Sequence, residues 1–451
     1  MDFNNEIRFY LSGRRQRAYN HIGSYISELD DKVILEIYNS GNIKNATKEF
    51  LNYLNTRFKN LAINYIKEFN SSLPEYTLTE KETKIENYII SDHINKNDFL
   101  FLDTAAQEYL ANGDPYTAEI ILEKLLQYST QSNLYNEMSL VKIMQDDFTS
   151  SELYLKEWEK RGNLTDRAYA NYALSMLYAR HHNSGMHSLS KAKELLLEAK
   201  NILENVRDID KENLEADKQF MLNGYALILF RTGKVQEAIQ IEKNAIEKLS
   251  YAKDGARLLQ KSVLYYNLAQ CYTRINELDL AIDTYKELLL IDNNFPDYHI
   301  ELSKVYLKAK NVDKAWEELM KAYKIDSSIS ELNSLMGFVQ LNRKNYKMAT
   351  KYYKRAYEFE YLEPETLYDL LYSYTEQEDY NSAFNITQDF LNNQVEFLNK
   401  AKNNQLKIDL LSIVAEVLVN MDMLSDAIEL IRKWNNVFHS DQLSQNLKLI
   451  S

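Results

Sequence analysis

The sequence predicts an all-α fold, a solenoid of stacked helix hairpins preceded by a helical segment that does not repeat. Three observations carry this. Gly and Pro number 10 and 4 in 451 residues, about 3% together against the roughly 12% of average usage. Such scarcity of the residues that punctuate turns and sheets favours nearly continuous helix. A 34-residue period runs through the second half of the chain, and a fixed period of that size marks a repeat array. Within each repeat the apolar residues recur at helical spacing.

The period is read from "NYKMATKYYKRA" (345–356). It aligns with "NVDKAWEELMKA" (311–322), "ELDLAIDTYKEL" (277–288) and "DYNSAFNITQDF" (379–390), giving the column Ala281, Ala315, Ala349, Ala383. The helix before it repeats as "YNLAQCY" (266–272), "IELSKVY" (300–306), "SLMGFVQ" (334–340) and "YDLLYSY" (368–374). In the first helix Leu268, Ala269 and Tyr272 share a face, and the small column Ala269, Ser303, Gly337 predicts close approach of a neighbouring backbone. In the second helix Ala281, Tyr285 and Leu288 form one stripe. Pro296 and Pro364 fall where a first helix starts, where a fixed φ and a missing N–H are tolerated. Ala349, Tyr353 and Ala356 are therefore expected in the core, with Lys347, Lys351, Lys354 and Arg355 on solvated surface.

These motifs resemble the tetratricopeptide repeat (TPR) family, with Leu, Gly/Ala and Tyr in the first helix and Ala, Phe/Tyr and Ala in the second. The resemblance is strongest over 262–397. Upstream it extends to 223–249 through Ala226, Gly233, Ala238 and Ala245, with a nine-residue insertion after it, and to 103–127 through Ala106, Tyr109, Gly113 and Ala118. Residues 134–161 and 168–204 read as degenerate pairs. Downstream, 408–441 fits through Ala415, Ala427 and Trp434 after a ten-residue insertion. About nine units over 99–441 are expected, forming a right-handed α-solenoid.

The resemblance implies a concave groove lined by first helices. Its columns here hold Tyr266, Gln270 and Arg274; Ile300, Lys304 and Lys308; Phe338 and Asn342; and Tyr368, Tyr372 and Glu376. That implies an aromatic floor with a basic spot at Arg274, Lys304 and Lys308, suited to a protein or peptide with an acidic group. The Lys/Asn clamp with which some members hold a C-terminal carboxylate is not reproduced in consecutive helices.

Residues 1–95 lie outside the repeat and read as a helical cap or docking domain, with helices near 4–27, 31–39, 43–70 and 80–91. Up to Ile66 this segment has nine Lys/Arg against seven Asp/Glu, so +2 of the net −13 lies there and −15 elsewhere. "IYNSGNIKNATKEFLNYLNTRFKNLAINYI" has the outline of a helix-turn-helix, but Phe50 and Leu51 stand where the turn should begin and no Gly follows. DNA binding is not expected, and the overall acidity disfavours general nucleic-acid affinity.

The remaining signals exclude more than they assign. Cys271 is the single cysteine, so no intrachain disulfide forms; its mid-helix position predicts a buried, inert thiol. Arg14 and Arg15 lack the apolar run of an export signal, and no window reaches the ~18 apolar residues of a membrane span. The expected location is the cytoplasm. His181, His182 and His187 cluster in "RHHNSGMHS", but neighbouring helical positions diverge and a polar loop is expected rather than a metal site. No phosphate-cradling loop or catalytic constellation is present, so no cofactor and no enzymatic activity are expected. The function predicted is a protein- or peptide-binding scaffold or adaptor. Its alternatives are a peptide-sensing bacterial regulator with an N-terminal effector segment, and an accessory subunit of a secretion or modification machine.

Overall fold

The computed structural model describes residues 19, 22–23, 25–38, 40, 45–58, 60–68, 78–180, 187–205, 211–249, 255–359 and 363–451. Two compact units take their described residues from Met1–Tyr19, Lys32–Tyr53 and Leu61–Asn294, and from Asn20–Asp31, Leu54–Asn60 and Phe295–Ser451.

The N-terminal part departs from the all-helical expectation. Residues Val33–Ile37 form strand β1, Asn45–Arg57 helix α1 and Leu61–Tyr65 strand β2. The strands pair in parallel with Val33 opposite Leu61 and Ile37 opposite Tyr65, and α1 supplies the crossover that a parallel pair requires. "VILEI" and "LAINY" are short runs rich in β-branched and aromatic residues, and a five-residue apolar run does not distinguish strand from helix by period alone. The helix expected at 31–39 is thus β1, and the one at 43–70 is α1 followed by β2. The helix-turn-helix outline is lost, because a strand stands where a recognition helix would be. Most of the helix expected at 4–27 lies outside the described residues.

From Lys96 onward the described chain is helical. In the first unit α2 (Glu80–Ile90) precedes five hairpins: α3 (Lys96–Ala111) with α4 (Pro115–Tyr128), α5 (Ser132–Met144) with α6 (Phe148–Arg161), α7 (Leu164–Arg180) with α8 (Leu189–Asn205), α9 (Lys211–Arg231) with α10 (Val235–Lys248), and α11 (Gly255–Arg274) with α12 (Leu278–Ile291). The second unit holds α13 (Pro296–Lys308) with α14 (Val312–Ile325), α15 (Ser330–Asn342) with α16 (Tyr346–Phe359), α17 (Pro364–Thr375) with α18 (Tyr380–Asn392), and α20 (Asn404–Asn420) with α21 (Leu424–Phe438). The short α19 (Gln394–Lys400) fills the ten-residue insertion, and α22 (Asp441–Ile450) follows the last hairpin. Within each unit successive hairpins pack on one another in chain order, the local arrangement of an α-solenoid.

The hairpin turn is the most regular feature. Asn276, Lys310, Lys344 and Glu378, each 34 residues apart, all have positive φ, at 65°, 59°, 58° and 56°. Each sits just past a first helix in the left-handed region and closes it in the same way. The Lys310 and Asn311 N–H groups donate to Leu307 and Tyr306 carbonyls at 2.9 and 2.8 Å, and Lys344 and Asn345 repeat the pattern on Leu341 and Gln340. This is a Schellman closure, which satisfies carbonyls the helix end would leave orphaned. Gly113 and Gly233 hold the corresponding turns upstream at φ 81° and 85°. Gly233 lies 43 residues before Asn276, the period plus the nine-residue insertion, and Asp422 lies 44 after Glu378.

Around these turns the core follows the columns. Ala281, Ala315, Ala349 and Ala383 are wholly buried, as are Tyr285 and Leu288, with Tyr353 almost so. Pro296 and Pro364 occupy the first turns of α13 and α17. Lys347, Lys351 and Lys354 are exposed. Arg355 is not simply solvated: it is half-buried and donates to the Tyr323 hydroxyl at 2.5 Å and Ser327 Oγ at 3.1 Å, joining α16 to the hairpin before it.

Candidate functional site

The expected binding residues lie on first helices in both units. In the first unit Tyr266, Gln270 and Arg274 follow one another along α11. Tyr266 meets the Tyr285 ring edge-on at 6.3 Å, and Gln270 Nε2 donates to the Tyr285 hydroxyl at 2.7 Å. Arg274 is exposed, but its guanidinium lies 4.5 Å from the Phe230 ring and donates to the Phe230 carbonyl at 2.7 Å. These side chains are held by their own neighbours before any partner arrives.

In the second unit Lys304 is half-buried between Glu301 and Glu331, 2.7 and 2.5 Å away. Burial by itself would depress its ammonium, but the two carboxylates outweigh this and hold it above the ordinary lysine range. Its charge is therefore balanced locally. Lys308, one turn on, is exposed. Ile300 is buried in the core and not on the open face.

Farther along, the face becomes aromatic and acidic. Phe338 of α15 is 46% exposed, with Asn342 beside it donating to the Phe338 carbonyl at 2.9 Å. One period later Tyr372 of α17 is 36% exposed and stacks on Tyr368 at 6.2 Å and 17°. Burial first, then the nearby Glu365, pushes the Asp369 carboxyl up to about 7. Glu416 of α20 is also raised, by burial and by Glu376. Mutual repulsion among carboxylates contributes to both shifts.

Elsewhere Cys271 is buried, and burial reinforced by Glu242, with Arg274 acting oppositely, pushes its thiol up to about 12. A thiol held so far from ionisation is unreactive. His181 and His182 lie outside the described residues, and among the described residues no three His, Cys, Asp or Glu side chains are placed to hold a metal ion. His299 is buried with Nδ1 2.7 Å from Glu318 Oε2. No described helix is long and apolar enough to cross a membrane.

The tetratricopeptide-repeat family model matches residues 263–295, which take in the latter part of α11 and all of α12, the hairpin from which the four-unit register begins. That hairpin matches a tetratricopeptide repeat. No curated protein matches it by sequence. Solved structures with similar backbones include Pseudomonas aeruginosa PilF, at 14% identity and TM-score 0.42, covering 54% of this chain and 100% of that one. Yeast Tom70 is 15% identical at TM-score 0.41, covering 81% and 83%. Apo RapI is 16% identical at TM-score 0.48, covering 71% and 96%.

The hairpins of the first unit also enclose a feature that the sequence does not single out. Between α5 and α7 in the first unit lies a cavity of about 550 Å³, lined by Leu140, Ile143, Tyr169, Tyr172 and Met176, with Trp158 of α6. Arg180 also lines it. The α7 members recur at i, i+3, i+7 and i+11, a stripe of one helix face. That spacing is readable in the sequence, but a stripe of this kind reads equally as core, and only the packing leaves space beside it.

Proposed function

We propose that this tetratricopeptide-repeat protein is a non-enzymatic scaffold or adaptor that binds a protein or peptide along its first-helix face. The observation that supports this best is the pair Phe338 and Tyr372. They occupy the same column one period apart, and both stay exposed although each is large and apolar enough to belong in a core. Low-entropy aromatic anchors of this kind supply much of the energy of protein interfaces. Lys308 and Asn342 add polar contacts beside them, and Tyr368 fixes the Tyr372 ring by stacking. Residues 1–95 serve as a cap or docking segment on this reading, DNA is not the partner, and the site of action is the cytoplasm.

The test is affinity capture from host lysate with the full chain, the Phe338→Ala/Tyr372→Ala variant and the Lys304→Glu/Lys308→Glu variant, all four positions lying in the second unit. A protein retained by the wild type and reduced at least about tenfold by the aromatic variant supports the reading, since two interface aromatics are each worth on the order of 1–2 kcal/mol. The charge-reversed variant should weaken the same capture. Equal recovery by all three folded proteins would remove the face from consideration, and recovery of nucleic acid in place of protein would shift attention to residues 1–95.

A further inference from the structure

We propose that the face between α17 and α20 binds an arginine side chain of a protein partner, its guanidinium stacked on Tyr372 and paired with Glu376 and Glu416. The proposal rests on the scaffold reading and gives the partner's docking segment a positive charge, opposite to the acidic group that the sequence columns imply. The groove column of the second unit runs Lys304, Phe338 and Tyr372 at 34-residue spacing and then Glu416, 44 residues on. That last step is the period plus the ten-residue insertion, the same offset that separates Glu378 from Asp422. The column passes from a cation through two aromatic rings to a carboxylate.

The cation is answered where it stands, by Glu301 and Glu331. The carboxylate is not. Burial and then Glu376 act on Glu416, and burial and then Glu365 act on Asp369, with no cation offsetting either. Glu365 has its own cation in Lys402, 2.9 Å away, so the unanswered charge lies at Asp369, Glu376 and Glu416. Glu376 and Glu416 are exposed and open to a partner. The rings beside them select the kind of cation. Tyr368 and Tyr372 are stacked, and Tyr372 is exposed. Burial and then Glu376 raise the Tyr372 phenol, and burial and then Asp409, Asp369 and Glu416 raise that of Tyr368, which puts rings and carboxylates on one surface. A lysine ammonium answers the charge as a hydrated point. A guanidinium is planar and weakly hydrated, stacks on an aromatic ring and presents a fork of N–H donors to carboxylates. An apolar anchor would cover Tyr372 and leave the charge as it is.

The experiment is fluorescence anisotropy of a dye-labelled, end-blocked peptide Gly-Leu-Arg-Leu-Gly titrated with the full chain. Two counterparts carry lysine, or citrulline, which keeps the planar shape without the charge. The arginine peptide should bind at one per chain, the lysine peptide at least about threefold more weakly and the citrulline peptide at least about tenfold more weakly, the worth of a charge-assisted contact. Glu376→Gln/Glu416→Gln should weaken the arginine peptide by about tenfold or more and leave the citrulline peptide unchanged. Tyr372→Leu should narrow the gap between the arginine and lysine peptides. Glu194→Gln/Glu198→Gln removes the same charge from exposed positions of α8 and should have no effect, which separates local pairing from attraction to the net charge of −13. Equal binding of the arginine peptide and either counterpart, an unaltered affinity in Glu376→Gln/Glu416→Gln, equal weakening by the two carboxylate variants, or no saturable binding would overturn the proposal. A lysate protein lost by Phe338→Ala/Tyr372→Ala but retained by Glu376→Gln/Glu416→Gln would also overturn it and leave the scaffold reading standing. One lost by neither would remove the scaffold reading and this proposal with it.

Discussion

Gly337 and Tyr353 are interlocked. A Cβ built on Gly337 would lie 2.7 Å from two carbons of the Tyr353 ring and 2.9 Å from a third, so the glycine exists to admit the ring. The small column of the first helix was expected to admit a neighbouring backbone; at this position it admits the aromatic side chain of the second helix in the same hairpin.

Gly337→Ala should therefore destabilise the protein although alanine is the better helix former. The helix gains about 1 kcal/mol, but the clash falls on a fully buried ring with nowhere to move, and overpacking costs about 1–3 kcal/mol. Urea unfolding should show a net loss. Leucine occupies the column of Tyr353 in the preceding repeat, at Leu319, so Gly337→Ala/Tyr353→Leu should be more stable than the two single losses added together. Strict additivity would mean that the two residues do not interact.

The left-handed turn residues make a second prediction. A non-glycine residue there costs roughly 1 kcal/mol, with asparagine the best tolerated. Lys310→Gly and Lys344→Gly should each raise stability by up to about 1 kcal/mol, and Asn276→Gly by less. Equilibrium denaturation of the three variants reads the order directly, and a destabilised Lys310→Gly would show that its side chain does more than occupy a turn.

Glu137 gives the protein a pH dependence of predictable sign. It is buried on α5, with one oxygen accepting from Gln107 Nε2 at 3.0 Å and the other unsatisfied. Burial, reinforced by Asp103, pushes its carboxyl up to about 8 from the ordinary 4.5. The folded chain thus holds a proton that the unfolded chain releases, so this group's contribution is fully present below about 4.5 and is lost as pH rises through about 8. Glu137→Gln keeps the shape and the Gln107 contact and removes the titration. It should be more stable than wild type at pH 8 by on the order of 2 kcal/mol, with the difference shrinking toward pH 5. A difference independent of pH would place the shift elsewhere.

Much of the architecture is legible in the residues alone, because a repeat hairpin is encoded locally. The alanine column, the prolines opening α13 and α17 and the spacing of the insertions all follow from helical periodicity and from which residues tolerate a helix start or a left-handed turn. Cys271 is readable as inert for the same reason, since mid-helix placement on an apolar stripe implies burial. What tertiary structure decided lies where short or ambiguous signals meet distant partners. "VILEI" becomes a strand only because "LAINY", 28 residues on, lies beside it. Lys304 reads as a cation in the sequence and is balanced in the fold by Glu331 of another helix. The stripe from Tyr169 to Arg180 reads as core, and it lines a cavity because the packing of α5 against α7 leaves a volume that neither helix specifies by itself.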